Sequence, residues 1–411
     1  MRLVDESIHS LTEKIKAVKQ GNFKISVALV PDRFAFYRYN IFKLLSDTDS
    51  NQFRLKIYAD TEEDIPGLRI VDSSYCDTNY KNGGISWVRI KNFTFRQVCF
   101  WQSGLILLAL SREHEVHVYW GEAHRISTWI SVIISKILGK KIAFWSHGIY
   151  GNEGRFKLFV RRKFYQLADA ILLYSDYGKQ LMVHYGFNVD HLYVIKNSLD
   201  TDRQNKLYER NLEKLHAVKS ELFTPEDRVI LFVGRLEPQK KLELLLQALS
   251  DLKSSSLVSY KLLLIGNGTM LEYLNMRANE LGLQQDVVFY GECFDDEKLA
   301  PLIMMADLCV SPGEVGLTAM HSLIYGTPVI THDNFLEQMP EFEAIIPNVS
   351  GAFYKYDDVS DLSIQIGKII QFIDDGVVTK DGCRRPILEY YNPFYQQRIF
   401  NCMVDQLFRK R

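Results

Sequence analysis

Cysteine is sparse in this 411-residue chain, and its six copies (Cys76, Cys99, Cys293, Cys309, Cys383 and Cys402) form no CxxC pair and no zinc spacing. That argues against a disulfide framework and a structural zinc site, and suits free thiols in a reducing compartment. Basic excess is also missing: 49 Lys and Arg against 50 Asp and Glu leave a net charge of −1, without the positive field that a general nucleic-acid binder needs. No nucleic-acid partner is expected. Long apolar runs are absent as well. The longest, Val98 to Leu110, is broken by Gln102, Ser103 and Gly104 and falls short of the about 20 residues that span a bilayer, so it reads as a buried helix. The opening MRLVDESIHSLTEKIKAVKQ has no signal-peptide core and reads as a mixed-charge helical extension over residues 1–23. A cytoplasmic location is the expectation. There is no GxxxxGK[ST] phosphate loop.

What is present is a long alternation of strands and helices. The length exceeds one ordinary core and suits two domains of roughly 150 to 200 residues each. KISVALV, FRLKIYA, ISWVRI, EVHVYW, KIAFWS, AILLYS and LYVIKN read as strands, separated by helix-length segments such as Ile126 to Leu138 and Arg155 to Ala168. Such alternation predicts α/β architecture with a doubly wound parallel sheet. A first domain is expected over 24–197, a charged connection with one helix and no strand signal over 198–227, a second α/β domain over 228–385, and an aromatic C-terminal helix over 386–411.

The most informative stretch is Ala306 to Thr331, ADLCVSPGEVGLTAMHSLIYGTPVIT. It reads as a buried strand (Asp307 to Val310), a glycine-bearing loop (Ser311 to Gly316), a helix (Leu317 to Tyr325), and a second strand entered through Gly326 and Pro328. Such a unit points the free N–H groups of a helix start out of the carboxyl edge of a sheet, where an anion can bind. Thr318, His321, Ser322 and Tyr325 share one helix face by spacing, either as a solvated stripe or as a binding face.

This segment resembles the donor-sugar loop of the retaining glycosyltransferases of family 4, which have the GT-B fold of two Rossmann-like domains facing a cleft. The family carries two glutamates seven residues apart. In the register set by VGL and YGTPVI those positions are Gly313 and His321, with Glu314 one residue late, so the chain is similar to a subgroup with the form PG-x-VGL-x-x-x-H. A neutral imidazole at residue 321 can still hydrogen-bond ribose hydroxyls. Gly313 is expected to hold a positive φ.

Other segments carry the resemblance further. RVILFVGRLEPQKKLELLLQAL holds VGRLxxxK, close to a family signature, which implies that Arg235 and Lys240 bind the donor diphosphate beside Gly234. Gly266 and Asn267 in YKLLLIGNGTM match a loop lining the nucleotide pocket, and Tyr290-Gly291 would flank the base. The loop residues Glu314, Val315, Gly316, Leu317 and Thr318 join His321 as donor contacts, and Glu343, in the segment that closes the pocket, is a further one. In the first domain, FWSHGIYGNEG sets His147 and Gly148 after a strand. A lone histidine there is structural or catalytic; the resemblance implies a place near the donor sugar, with Gly148 admitting the substrate to the backbone. Tyr37 and Arg38 resemble the family's acceptor-side helix start.

RFKLFVRRKF, Arg155 to Phe164, interleaves cations with apolar residues. It reads either as a helix packed on its domain or as one lying on the anionic inner face of a membrane. Asp200-Thr201-Asp202 matches a metal-binding DxD by letter only, at a domain junction, so no metal or other cofactor is expected. The resemblance implies a retaining transferase that moves a sugar from a nucleotide diphosphate donor to a glycan or lipid-linked acceptor, in bacterial surface polysaccharide biosynthesis. A GT-B sugar-nucleotide epimerase and a catalytically silent GT-B partner subunit are the competing readings.

Overall fold

Along Ile25–Val30, side chains alternate between two cores: Val27 and Leu29 enter one, Ala28 and Val30 the other. A strand with both faces covered behaves this way. The computed structural model describes residues 25–47, 53–60, 85, 87–95 and 98–408. The extension expected over 1–23 lies outside the described residues, as do Lys24 and Cys76. The chain divides into two compact units, one running to Leu199 and resuming at Pro393, the other Asp200–Asn392.

Among its described residues the first unit has seven parallel strands: β1 (Ile25–Val30), β2 (Phe53–Ala59), β3 (Trp87–Arg89), β6 (Val116–Trp120), β7 (Lys141–Ser146), β8 (Ala170–Leu173) and β9 (Leu192–Val194). Their order is β3-β2-β1-β6-β7-β8-β9. Helix α1 (Tyr39–Ser46) and the C-terminal helix α14 (Pro393–Phe408) bury Phe42 and Phe400 on one face of the sheet. On the other face α2 (Leu105–Leu110), α3 (Ile126–Ile137), α4 (Arg155–Tyr165) and α5 (Asp176–His184) bury Leu108, Val132, Phe164 and Met182. α14 starts at Pro393 rather than at residue 386, because Lys380–Tyr390 forms a separate helix of the second unit.

Val98 to Leu110 is not a single buried helix. Its first half is β5 (Val98–Gln102), paired antiparallel with β4 (Asn92–Phe95), and only Leu105–Leu110 is helical. Gly104, at φ +77°, makes the break, a backbone shape that glycine accepts and that the apolar count hides.

The second unit has six parallel strands: β10 (Arg228–Val233), β11 (Tyr260–Ile265), β12 (Val287–Gly291), β13 (Leu308–Val310), β14 (Val329–His332) and β15 (Gly351–Tyr354), in the order β12-β11-β10-β13-β14-β15. Its helices are α6 (Thr201–Asn211), α7 (Leu215–Ser220), α8 (Leu242–Ser255), α9 (Leu271–Glu280), α10 (Asp296–Met304), α11 (Leu317–Ile324), α12 (Val359–Asp374) and α13 (Lys380–Tyr390). Residues 201–220, read above as part of a connection with one helix, form two helices, of which α6 packs against α10 and α11. Its N-cap is Asp200, whose carboxylate accepts from Arg203 N at 3.2 Å, so half of the apparent DxD is a helix start.

Both sheets reverse their winding once, between β1 and β6 in the first unit and between β10 and β13 in the second. In open α/β sheets, ligands bind outside the carboxyl ends of the strands at such switch points.

Candidate functional site

At the switch point of the second unit the loops after β10 and β13 lie backbone against backbone. Gly313 N donates to Lys240 O at 3.0 Å. A Cβ on Gly313 would sit 1.8 Å from Gln239 O. The reason for glycine here is therefore lack of room, and the expected positive φ is not what Gly313 has, since it is absent from the described residues with that backbone shape. The family's first glutamate has no space in this chain. Gly266 is similar: a Cβ there would meet Gly234 O at 1.9 Å, so the loops after β10 and β11 also touch through their main chains.

The loop of residues 311–316 is held from several sides. Tyr354 Oη donates to Pro312 O at 2.7 Å, Thr331 Oγ1 to Gly313 O at 3.0 Å, and Val315 N to Gln338 Oε1 at 3.0 Å. Gln338 Nε2 in turn donates to Thr331 Oγ1 at 2.7 Å. Gly316, at φ +54°, then turns the chain into α11. Such fixed N–H groups at a helix start suit an anion without rearrangement.

Two cations accompany that helix start. Arg235 is exposed just past β10. Lys240 is half-buried, its Nζ donating to Glu314 O at 2.7 Å and lying 3.6 Å from Glu314 Oε1. Burial lowers the pKa of Lys240, and the carboxylates of Glu314 and Glu341 oppose the shift. Glu343 is half-buried on the same short turn as Glu341, Pro340–Ala344, which packs on α11. The sequence singles out Glu343, but of these two glutamates it is the buried Glu341 whose charge acts on Lys240.

The polar stripe of α11 does not face solvent. Ser322 and Tyr325 are buried and Thr318 Oγ1 donates to Val233 O at 2.8 Å, tying the helix to β10. His321 is half-buried, and Gln204 Nε2 of α6 lies 3.2 Å from its Nδ1. An amide N–H₂ only donates, so this contact leaves the ring proton on Nε2. Burial lowers the His321 pKa, with Asp296 opposing, which keeps the ring neutral. Gln204 was missed because its stretch has no strand or motif signal; only the fold brings it to residue 321. His321→Ala is expected to weaken donor binding about tenfold, near 1.4 kcal/mol, while His321→Glu keeps part of it by accepting from the same groups. Gln204→Leu, which frees the ring, is expected to lose about 1 kcal/mol. Calorimetry with the cognate nucleotide checks all three, and unchanged affinity in His321→Ala would make the ring a packing residue.

Asn267 shapes its own loop. Its Oδ1 accepts from Gly268 N at 2.8 Å and its carbonyl from Leu236 N at 2.9 Å. Tyr290 is 40% exposed at the end of β12, where Gly291 O accepts from Gly266 N at 2.9 Å. Among the described residues, no group of three His, Cys, Asp or Glu side chains is placed to hold a metal ion.

In the first unit the switch point opens into a cavity of about 230 Å³ lined by Tyr37, Arg38, Trp120, Arg125 and His147 among others. Arg38 is buried. Its Nε donates to Tyr37 Oη at 2.9 Å and its Nη2 to Tyr174 Oη at 2.7 Å, with the guanidinium 4.9 Å from the Trp120 ring centroid. Burial, then the charges of Arg38 and Arg161, push the His147 pKa down to about 4, so this ring is neutral at pH 7. Gly148 plays another part than expected. At φ +77° its missing Cβ makes room for Leu173 Cδ2, 2.9 Å away from where it would be, and its carbonyl accepts from Arg161 Nη1 at 2.8 Å. The backbone is thus covered by the protein's own side chains.

That last contact also revises the basic helix. Arg161 is turned inward, 4.5 Å from the Tyr150 ring centroid, whereas Phe156 and Phe159 are 81% and 58% exposed. Phe164 alone of the helix phenylalanines is fully buried. No helix among the described residues is long and apolar enough to cross a membrane.

Comparison with known proteins falls on the same region. Residues 214–375 match the family model of glycosyl transferases group 1. An uncharacterized glycosyltransferase of Methanocaldococcus jannaschii is 33% identical over 121 residues, 29% of this chain and 30% of that protein. The lipopolysaccharide 1,6-galactosyltransferase of Escherichia coli K12 is 24% identical over 257 residues, 59% of this chain and 64% of that protein. The matched stretches thus span less than two thirds of either relative. Among solved structures, HepE of Anabaena in complex with UDP superposes with a TM-score of 0.69 at 14% identity, over 93% of this chain and 100% of that one. The fold is GT-B, and the family match supports a glycosyltransferase.

Proposed function

We propose that the protein is a retaining glycosyltransferase that moves a sugar from a nucleotide diphosphate donor to a hydroxyl of a glycan or lipid-linked acceptor, in surface polysaccharide biosynthesis. The observation that carries this reading is Lys240 bound to Glu314 O in the loop that enters α11 at the β10/β13 switch point, with the Arg235 charge close enough to act on it, an arrangement suited to the charge of a departing diphosphate. The bound UDP of the Anabaena neighbour and the activity named for the E. coli relative support it. The glycosidic bond to the diphosphate breaks, the acceptor oxygen bonds the same carbon from the face the donor leaves, and its proton passes to a diphosphate oxygen. His147 takes part as a neutral hydrogen-bonding ring beside the donor sugar, and Tyr37 and Arg38 belong to the acceptor side. No metal ion is required, since the helix N–H groups and two cations neutralise the leaving group.

Incubation with a panel of nucleotide sugars tests this. Acceptor-dependent release of nucleoside diphosphate, unchanged by a chelator, is expected. A changed sugar without release indicates epimerisation, binding without turnover indicates a silent subunit, and loss in chelator restored by magnesium or manganese overturns metal independence.

The proposal includes a location on the inner face of an anionic membrane, through Phe156 and Phe159 flanked by Arg155, Lys157 and Lys163 of α4. Co-sedimentation with anionic vesicles is expected, its binding constant falling about a hundredfold or more in Phe156→Ser/Phe159→Ser as roughly 1.5–3 kcal/mol of burial per ring is lost. Equal sedimentation of both proteins removes this part.

A further inference from the structure

The cavity of the first unit holds more hydrogen-bond donors than the protein satisfies. Arg38 and Arg125, 7% and 4% exposed, both line it. Arg38 Nη1, Arg125 Nε and Nη1, and Trp145 Nε1 are buried and have no partner. Only one guanidinium nitrogen of Arg125 is engaged, Nη2, which donates to Asp32 Oδ2 at 3.1 Å. That carboxylate is shared, because Arg33 Nη1 donates to the same oxygen at 3.2 Å.

The charge balance points the same way. Arg125 shares Asp32 with Arg33, whereas Arg38 donates to the hydroxyls of Tyr37 and Tyr174 and to no carboxylate among the described residues, and His147 adds no charge because its ring is neutral. Glu122 lies beside His124, 3.7 Å from its Nδ1. A buried guanidinium with unmet N–H groups is costly unless an acceptor completes it. Water could supply lone pairs, as the volume has room for roughly seven molecules at about 30 Å³ each, but water leaves the Arg38 charge uncompensated. An oxyanion meets both needs, and the guanidinium fork matches it with paired hydrogen bonds. Trp120 and Trp145 add apolar walls of the kind that accept the face of a ring.

We infer that this cavity binds an oxyanion carried by the acceptor, a carboxylate or a phosphate on the sugar that receives the transferred residue. That the ligand is the acceptor rests on the proposed transfer; that it is an anion rests on the donors alone.

The test is therefore a binding measurement that needs no turnover. The full chain carrying Arg235→Ala, which weakens phosphate capture in the second unit, is titrated by calorimetry with glucuronate, inorganic phosphate and glucose. At least one anion is expected to bind about tenfold or more tighter than glucose, with affinity falling as salt rises. Arg125→Gln and Arg38→Met are each expected to lose about tenfold or more of that affinity. Binding of glucuronate alone identifies a carboxylate, binding of phosphate alone a phosphate, and both outcomes support the site. Indistinguishable affinities for the three ligands, or anion binding untouched by Arg125→Gln in a variant with a normal melting curve, overturn it. If either variant fails to fold, the comparison of the two anions with glucose on the parent chain still decides. Failure of sugar transfer with anion binding intact would strike the proposed function, whereas transfer without anion binding would strike this inference alone.

Discussion

Gly313→Glu is expected to abolish turnover rather than restore a family-like site. The register of the loop places the family's first glutamate at this residue, so the substitution looks like a repair. The structure gives the opposite sign. Any Cβ at residue 313 would lie 1.8 Å from Gln239 O and 2.9 Å from Lys240 Cα, so the loop after β10 must retreat before a side chain of any kind is accommodated. The atoms in the way are backbone, which cannot move aside as a rotamer would. Even Gly313→Ala is expected to destabilise by about 3 kcal/mol, the upper end for overpacking, and to lower the melting temperature by roughly 6 to 12 °C for a unit of this size. The displaced segment carries Lys240, so activity falls in parallel with stability. Gly367→Ala in α12 is the control: nothing lies within 4 Å of its Cβ position, and replacing a helical glycine adds about 0.5 to 1 kcal/mol. Thermal melts and steady-state rates on the three variants check this, and a normally stable, active Gly313→Ala would show that the two loops are not in contact.

That example marks where the sequence stops being legible. The parallel strands of the first unit, the strand–loop–helix unit around residue 316 and the pairing of Arg235 with Lys240 at a strand end could be read because each depends on local pattern: apolar runs, turn residues and a signature of adjacent letters. Gly313 could be noticed but not explained, because the atom that excludes a side chain belongs to residue 239. Gln204 and Gln338 were invisible for the same reason; the partners that give them meaning, His321 and Val315, are distant in the chain. The break at Gly104 was missed because an apolar run reads alike as strand or helix, and only the backbone turn at φ +77° separates its halves. In the basic helix, spacing alone could not tell that Arg161 turns inward to Gly148 O while Phe156 and Phe159 turn out.

Arg235→Ala and Lys240→Ala are expected to lower turnover by different routes, and the difference tests the assignment. Arg235 is exposed past β10, so removing it leaves no buried group unpaired. If its charge acts on the departing diphosphate, kcat and kcat/KM fall together by more than about tenfold, at least 1.4 kcal/mol, while the melting temperature stays put. Lys240 carries structure as well. Its Nζ donates to Glu314 O at 2.7 Å and its charge offsets the Glu314 and Glu341 carboxylates, so Lys240→Ala adds a stability loss of about 1 to 3 kcal/mol to the loss of rate. The same burial that lowers the Lys240 pKa predicts a pH signature. A lysine is charged below its pKa, so in the free enzyme kcat/KM is expected to decline on the alkaline side at a pH below the ordinary lysine value. Lys240→Arg keeps the charge at every accessible pH and should erase that limb even if its own rate is low. Near-normal turnover in both alanine variants would remove the two cations from the chemistry, and an alkaline limb that survives Lys240→Arg would assign it to another group.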